Sequence, residues 1–436
     1  MPAPTHPRPH TETLANGLRV TLRHVPGLKR SAAALRVAAG SHDVPLEWPG
    51  LAHFLEHLLF LGTERFPASQ ALMAYVQSHG GQVNASTRER TTDFFFELPT
   101  SAFSAGLERL SDMLAQPRMN PDDQLREREV LDAEFVAWSQ DPTAQQELAL
   151  YEGLPATHPL RGFHAGNRDS LKVELPAFQQ ALKDFHQQFY RSGQMTLSLV
   201  GPQSIEELRV LAQQFAAVLP VGDKVEQAAP LPLAVNSYQQ VGERSSHLLF
   251  AFEALPDSSA EALAFLCHWL NSAKPGGLLA HLQQQRLADG LKAVPLYQFA
   301  GQALLHLQFT APAESLSAIR EQLLDWLSFF AAQQDWAALH EEYAKLLERQ
   351  QQVSGALQLA RRDSEQLERG LSENGVAALK HILRDIGVVD NFSAHWHRPA
   401  ANPFLGSSEP LANAGLIRGQ TSAHRGLRTF AQDRSR

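Results

Sequence analysis

From residue 18 the chain alternates apolar and polar side chains as a half-buried strand does, in Leu18-Arg19-Val20-Thr21-Leu22-Arg23-His24-Val25, just after an Asn16-Gly17 turn signal. Ala32 to Ala39 reads as a second strand. An apolar run opened by Trp48-Pro49-Gly50 and closing near Gly62 reads as a helix. Ser69 to Ser78 reads as another, broken by Gly80-Gly81. Gln82 to Thr87 and Thr92 to Leu98 follow as an adjacent strand pair, then Ala102 to Ala115 as an amphipathic helix. Strands cluster and helices cluster, which predicts an α+β layered domain, its sheet antiparallel or mixed, with helices packed on one side.

The same order of elements recurs from Ala228 on. Val235 to Gln240 and His247 to Phe252 read as strands, Ala262 to Leu270 and Leu278 to Gln285 as helices, and Ala303 to Phe309 as a strand. Ala264-Phe265-Leu266-Cys267-His268 falls in the register of His53-Phe54-Leu55-Glu56-His57, so the second half reads as a duplicated domain with Ala for His and Cys for Glu. It is not expected to form a second metal site. Leu316 to Gln350 predicts two helices of structural role.

The first helix carries the chemistry. His53, Glu56 and His57 interrupt the apolar run Leu51 to Leu61 and fall within an arc of about 100° at roughly 100° per residue. Histidines four apart sit about 5–6 Å from each other at Cβ, so both reach one zinc ion through bonds of about 2 Å. Glu56 is left over as a base. The order His-x-x-Glu-His inverts the zinc-protease signature His-Glu-x-x-His. The simpler alternative is the polar edge of an amphipathic helix. Against it, Leu51, Leu55, Leu58, Leu59 and Leu61 leave little helix surface for solvent, so the polar groups are expected to be buried and to need partners.

A catalytic zinc takes three protein ligands and keeps one position for water. The best third candidate is Glu134, on a helical stripe marked by Val130, Leu131, Ala137 and Trp138. Glu127, two turns earlier, shares that face. It is either a hydrogen-bond partner of the ligands, which places it with Glu56 among the candidate catalytic residues, or an ordinary surface glutamate.

These residues together resemble the inverted-motif zinc peptidases, the family of pitrilysin, insulin-degrading enzyme and the mitochondrial processing peptidases. Besides His53-x-x-Glu56-His57, the resemblance rests on Leu59-Phe60-Leu61-Gly62-Thr63, on Gly80-Gly81-Gln82-Val83-Asn84-Ala85-Ser86-Thr87, and on Glu127 to Glu134, all in family order. Glu134 lies 77 residues past His57, the spacing of the third ligand in the insulin-degrading branch. Phe163-His164-Ala165-Gly166-Asn167 and Asn402-Pro403-Phe404 look most like the bacterial branch that serves pyrroloquinoline quinone biosynthesis. The resemblance implies a zinc metalloendopeptidase with one zinc on His53, His57 and Glu134, acting on peptides or small proteins, among them the precursor peptide of that pathway. It implies substrate bound as an added strand along Gln82 to Thr87, with Asn84 and Ala85 beside the scissile bond and Phe60 as a further substrate-binding residue.

The relatives also use an Arg and a Tyr seven residues apart, from a different domain, to bind substrate and stabilise the oxyanion. This chain has no such pair; Arg286 and Tyr297 are wrongly spaced. The chain therefore looks like the first half of a four-domain enzyme. Either a partner half supplies the pair or the chain is a fragment, and the alternative to a protease is a zinc-binding, peptide-binding scaffold that is inactive without that partner.

Length and composition narrow the remainder. The chain has 436 residues, too many for one core, and we expect a disordered lead over 1–12, a catalytic domain over 13–223, a duplicated non-catalytic domain over 224–400 and a linker or tail over 401–436. A net charge of −8 with no long basic block argues against nucleic acid or anionic membrane as partners. The single cysteine, Cys267, excludes an intramolecular disulfide framework. The proline-rich N-terminus lacks the apolar stretch of a secretory signal, and no run nears about 18 apolar residues, so the expectation is a cytoplasmic protein.

Overall fold

The computed structural model describes residues 8–233, 237–332, 336–365, 370–387 and 408–410. The first unit is built on six strands, β1 (His10–Thr13), β2 (Arg19–His24), β3 (Arg30–Val37), β4 (Gln82–Thr87), β5 (Thr92–Pro99) and β6 (Met195–Gly201). They lie in the order β1-β2-β6-β3-β5-β4. β6 runs parallel to β2 and antiparallel to β3, and the other neighbours are antiparallel, so the sheet is mixed. The first unit's helices are α1 (Leu51–Leu59), α2 (Leu72–Ser78), α3 (Phe103–Ala115), α4 (Pro121–Ser139), α5 (Pro142–Tyr151), α6 (Pro176–Phe189) and α7 (Ile205–Val218).

One core joins the sheet to α1, α2, α3, α6 and α7 through residues such as Leu35, Phe54, Val76, Leu110, Phe178 and Phe215. Every residue of α1 is buried. The expected strands and helices appear within a few residues of their predicted bounds. β6 is an exception: Met195-Thr196-Leu197-Ser198-Leu199 alternates as a strand does, but no strand was expected there, and it occupies the middle of the sheet. The expected lead is also corrected at its end, since residues 10–12 belong to β1 and pair with β2; residues 1–7 lie outside the described residues.

The second unit repeats the plan with β7 (Ser237–Val241), β8 (Ser245–Phe252), β9 (Gly290–Phe299), β10 (Gln302–Thr310) and β11 (Ser408–Pro410), ordered β11-β7-β8-β10-β9. Here β7 pairs directly with β8, whereas β6 separates the corresponding strands of the first sheet. Helices α8 (Ser259–Leu270), α9 (Leu278–Gln284), α10 (Leu316–Ala331) and α13 (Glu373–Ile386) share its core; α11 (Ala337–Gln352) packs on it through Tyr343 and Leu347, and α12 (Ala356–Ser364) follows. Most of the expected tail, residues 401–407 and 411–436, lies outside the described residues. None of the helices is long and apolar enough to cross a membrane, among the described residues.

Each sheet has a second face, and each is covered by the other unit. In β3, Ala33, Leu35 and Val37 point to the first unit's helices, while Ala32 and Ala34 point the other way and meet Ala356, Leu359 and Ala360 of α12. Small side chains on both elements let the helix lie close to the strand. Reciprocally, Leu150, Tyr151, Leu154 and Leu160 of the first unit pack on Leu249, Ala251, Leu296 and Leu304 of the second sheet. Helices on one side, as the pattern predicts, are thus joined by a shorter covering on the opposite face.

A buried ion pair fixes the first of these contacts. Arg23 of β2 donates from Nε to Asp363 Oδ2 at 2.7 Å and from Nη2 to Oδ1, and both side chains are almost fully enclosed. Arg361, two residues earlier on α12, lies over the Phe95 ring at 4.1 Å. Removing one partner of a buried pair strands the other charge and costs about 3–5 kcal/mol. We therefore expect Asp363→Ala to lower stability in urea unfolding by that amount. An unchanged transition midpoint would show that α12 is not anchored by this pair.

Candidate metal centre

Helix α1 enters the core through Gly50, whose φ of 90° is a left-handed conformation that suits glycine. A side chain there is also excluded by space, because a Cβ would lie 2.3 Å from Gly166 Cα. Three residues on, His53 Nδ1 is 2.6 Å from the Ala165 carbonyl. A carbonyl only accepts, so Nδ1 carries the hydrogen and Nε2 presents its lone pair. His57 Nδ1 is 2.8 Å from Glu127 Oε1, which turns its Nε2 toward the same point. The two Nε2 atoms are 3.2 Å apart.

Helix α4 supplies the carboxylates. Asn120 caps it by accepting from the Asp122 amide, with Pro121 in the first turn. Gln124, Glu127, Leu131 and Trp138 are its buried residues, at the three-, four- and seven-residue spacings of one helical face, and Glu134 falls on that face. The sequence stripe needs correction here: Val130 is 38% exposed and Ala137 is also exposed, so the inward face is marked more by its polar residues than by its apolar ones. Glu127 is not an ordinary surface glutamate; it is buried against His57.

Glu134 Oε2 lies 3.7 Å from His57 Nε2 and 3.9 Å from His53 Nε2. With the 3.2 Å edge between the histidines this triangle has its centre about 2.1 Å from each atom, matching zinc–nitrogen and zinc–oxygen bonds of about 2.0–2.2 Å. Among the described residues this is the one group of three histidine, cysteine or acidic side chains so gathered. Its electrostatics also suit a cation. Burial opposes charge on His57, but the Glu134, Glu127 and Glu56 carboxylates outweigh it and push the imidazole up to about 9 in the metal-free chain.

Glu56 points to the adjoining space, where the Thr87 hydroxyl donates to its Oε2 at 2.6 Å. Burial raises its carboxyl above the usual range, against the pull of His57 and the Thr87 hydrogen bond. Thr87 ends β4, an edge strand that pairs only with β5 among the described residues. Asn84 and Ala85 lie on β4 as expected, Ala85 facing the core and Asn84 partly exposed, its Oδ1 accepting from the Ala85 amide at 2.8 Å. Phe60 is 3% exposed, its ring 6.0 Å from that of Phe94, the cross-strand partner of Ala85, so it presents little surface of its own.

Two parts of the site escaped the sequence reading. Ala165 acts through a backbone carbonyl, which leaves no signature in residue type. Thr87 was legible only as the end of a strand, although an inward hydroxyl at an edge next to the histidine helix was a usable signal. In the second unit, the register position of Glu56 is occupied by Cys267, whose thiol burial pushes up to about 12.

Residues 19–161 match the family model described as Insulinase (Peptidase family M16), and residues 178–341 match that of the Peptidase M16 inactive domain. Coenzyme PQQ synthesis protein F of Pseudomonas protegens is 62% identical over 427 residues, covering 96% of this chain and 52% of that protein. Protease 3 of Escherichia coli is 28% identical over 298 residues, covering 64% of this chain and 30% of that protein. The chain spans about half the length of the curated relatives it matches most fully. The crystal structure of pitrilysin superposes with a TM-score of 0.71 at 23% identity, covering 89% of this chain and 43% of that one, a likeness of fold. With two family models matched in order along the chain and relatives this similar, the chain belongs to the insulinase, or M16, peptidase family.

Proposed function

We propose that this chain is the catalytic half of a zinc endopeptidase that cleaves a peptide substrate in the synthesis of coenzyme PQQ. The observation that carries the reading is the triangle of His53, His57 and Glu134, with Glu56 beside it and an open strand edge alongside. The place in coenzyme synthesis is supported by the names of the relatives. His53, His57 and Glu134 would hold a zinc ion, which would supply Lewis-acid chemistry there, lowering the pKa of a water to about 7.

The chain's own residues do the rest. β4 offers unpaired backbone groups to an extended peptide, so a substrate adding as a strand runs past Asn84 and Ala85 toward Thr87 and Glu56. Glu56 takes the proton of the attacking water as the carbon–oxygen bond forms, and gives it to the departing nitrogen as the carbon–nitrogen bond breaks. Its buried setting, which raises the carboxyl, suits a group that must be base first and acid afterwards. Ala165 and Glu127 hold the two imidazoles in the tautomers that leave Nε2 available.

A second reading, a zinc-bearing peptide-binding half that turns over little alone, is favoured by the missing Arg and Tyr pair and by the 52% coverage of the most similar relative described above. The two differ in what the companion half adds.

Two experiments test this. Purified His57→Ala protein should lose most of its zinc by metal analysis, whereas Glu56→Gln should keep zinc and fold but lose at least about 10²-fold in peptide hydrolysis, as expected for removal of a general base. Stoichiometric zinc in the former, or wild-type turnover by the latter, contradicts the assignment. The chain alone should cleave slowly, since loss of one oxyanion donor costs about 10²–10³ in rate. Adding a companion half that carries the Arg and Tyr pair, as a separate chain or fused, should restore turnover in proportion to complex formed. Full activity of the isolated chain, abolished by Glu56→Gln, would overturn the need for a partner.

A further inference from the structure

The two imidazoles of the triangle are held from different sources. His57 leans on Glu127, a side chain of its own unit; His53 leans on a backbone carbonyl in the irregular segment 158–167. On one side this segment presses on α1, where Gly166 leaves no room for a Cβ on Gly50. On the other it rests on the second unit.

Besides the apolar packing of Leu160 on the second sheet, a hydrogen bond and a stack of rings make that connection. The Leu160 amide donates to His158 Nδ1 at 3.2 Å, so the hydrogen of this ring is on Nε2, which donates to Gln302 Oε1 of β10 at 3.1 Å. Gln302 is itself oriented, its amide donating to the Glu253 carboxylate and to the Leu231 carbonyl. His164, next to Ala165, donates from Nε2 to the Pro159 carbonyl at 2.6 Å and lies 4.9 Å from the His42 ring; His42 in turn lies 5.9 Å from Tyr297 of β9. Tyr297 is 5.9 Å from His158 as well, so its ring walls both histidines.

We propose that the second unit sets the metal affinity of the first, with Gln302 and Tyr297 as positioning residues that hold segment 158–167 so that the Ala165 carbonyl fixes the His53 ring. This rests on the zinc reading of His53, His57 and Glu134. A domain that has lost the ligand positions thereby keeps a role in the site. Freed from Gln302 and Tyr297, the segment loses the polar and ring contacts that help to locate Ala165; His53 Nδ1–H then has a less fixed acceptor and Nε2 a less fixed direction.

The test measures zinc dissociation constants of the full chain by competition with a chromophoric chelator. Gln302→Ala and Tyr297→Ala should weaken zinc binding by about 10–100-fold, the range for loss of a group that orients a ligand. Tyr297→Phe, which keeps the ring, should stay at the wild-type value. The visible spectrum of the cobalt-substituted protein should change in the two alanine variants and not in Tyr297→Phe. Should Gln302→Ala fail to fold, Gln302→Met keeps the volume without the acceptor and carries the same expectation. A purely structural role would lower the melting point of the metal-free protein yet leave affinity and cobalt spectrum as in wild type, and that result overturns the proposal. If wild type binds zinc and His57→Ala does not, while these variants bind as wild type, this inference alone falls. If His57→Ala binds as wild type, the zinc reading itself falls.

Discussion

Two imidazoles and a carboxylate brought together inside a helix that is buried along its whole length impose a demand on everything around them. Each polar atom not turned to the common centre needs a partner in a place water does not reach freely. The chain meets the demand with three different elements: the Ala165 carbonyl for His53, the Glu127 carboxylate on α4 for His57, and the Thr87 hydroxyl on β4 for Glu56. A helix, an edge strand and an irregular segment are thereby tied to α1, and the site borders the strand edge because Thr87 belongs to both.

The covering of the sheets has a similar logic. A sheet buried on one face still presents an apolar second face, and here the two units exchange short segments to cover it. Because α12 sits some 340 positions from its ion-pair partner Arg23, and the contacts of residues 150–160 cross the other way, neither sheet is covered without the other. The second unit, with Ala264 in the register of His53 and Cys267 in that of Glu56, thus supplies cover and support to the first.

The sequence by itself marked out the repeating order of strands and helices, the three side chains His53, His57 and Glu134 that the fold gathers, and the common face of α1 that His53, Glu56 and His57 share. All of these follow from local rules, since side-chain direction on a helix or strand is set by residue spacing. On α4 it singled out Glu127 and Glu134 for a reason that was half wrong: the buried face mixes Gln124 and Glu127 with Leu131 and Trp138, and Val130 and Ala137 look outward. Sequence order next to a motif says nothing about which way a ring turns, and that of Phe60 turns into the core.

Only the tertiary structure decided that β6 enters the middle of the first sheet, that α12 crosses to the opposite unit, and that Ala165 holds His53. Strand order and domain exchange depend on contacts between residues far apart in the chain, where no short-range periodicity operates. A backbone carbonyl is the same in every residue, so its placement is fixed by the path of the chain and not by the letter at that position.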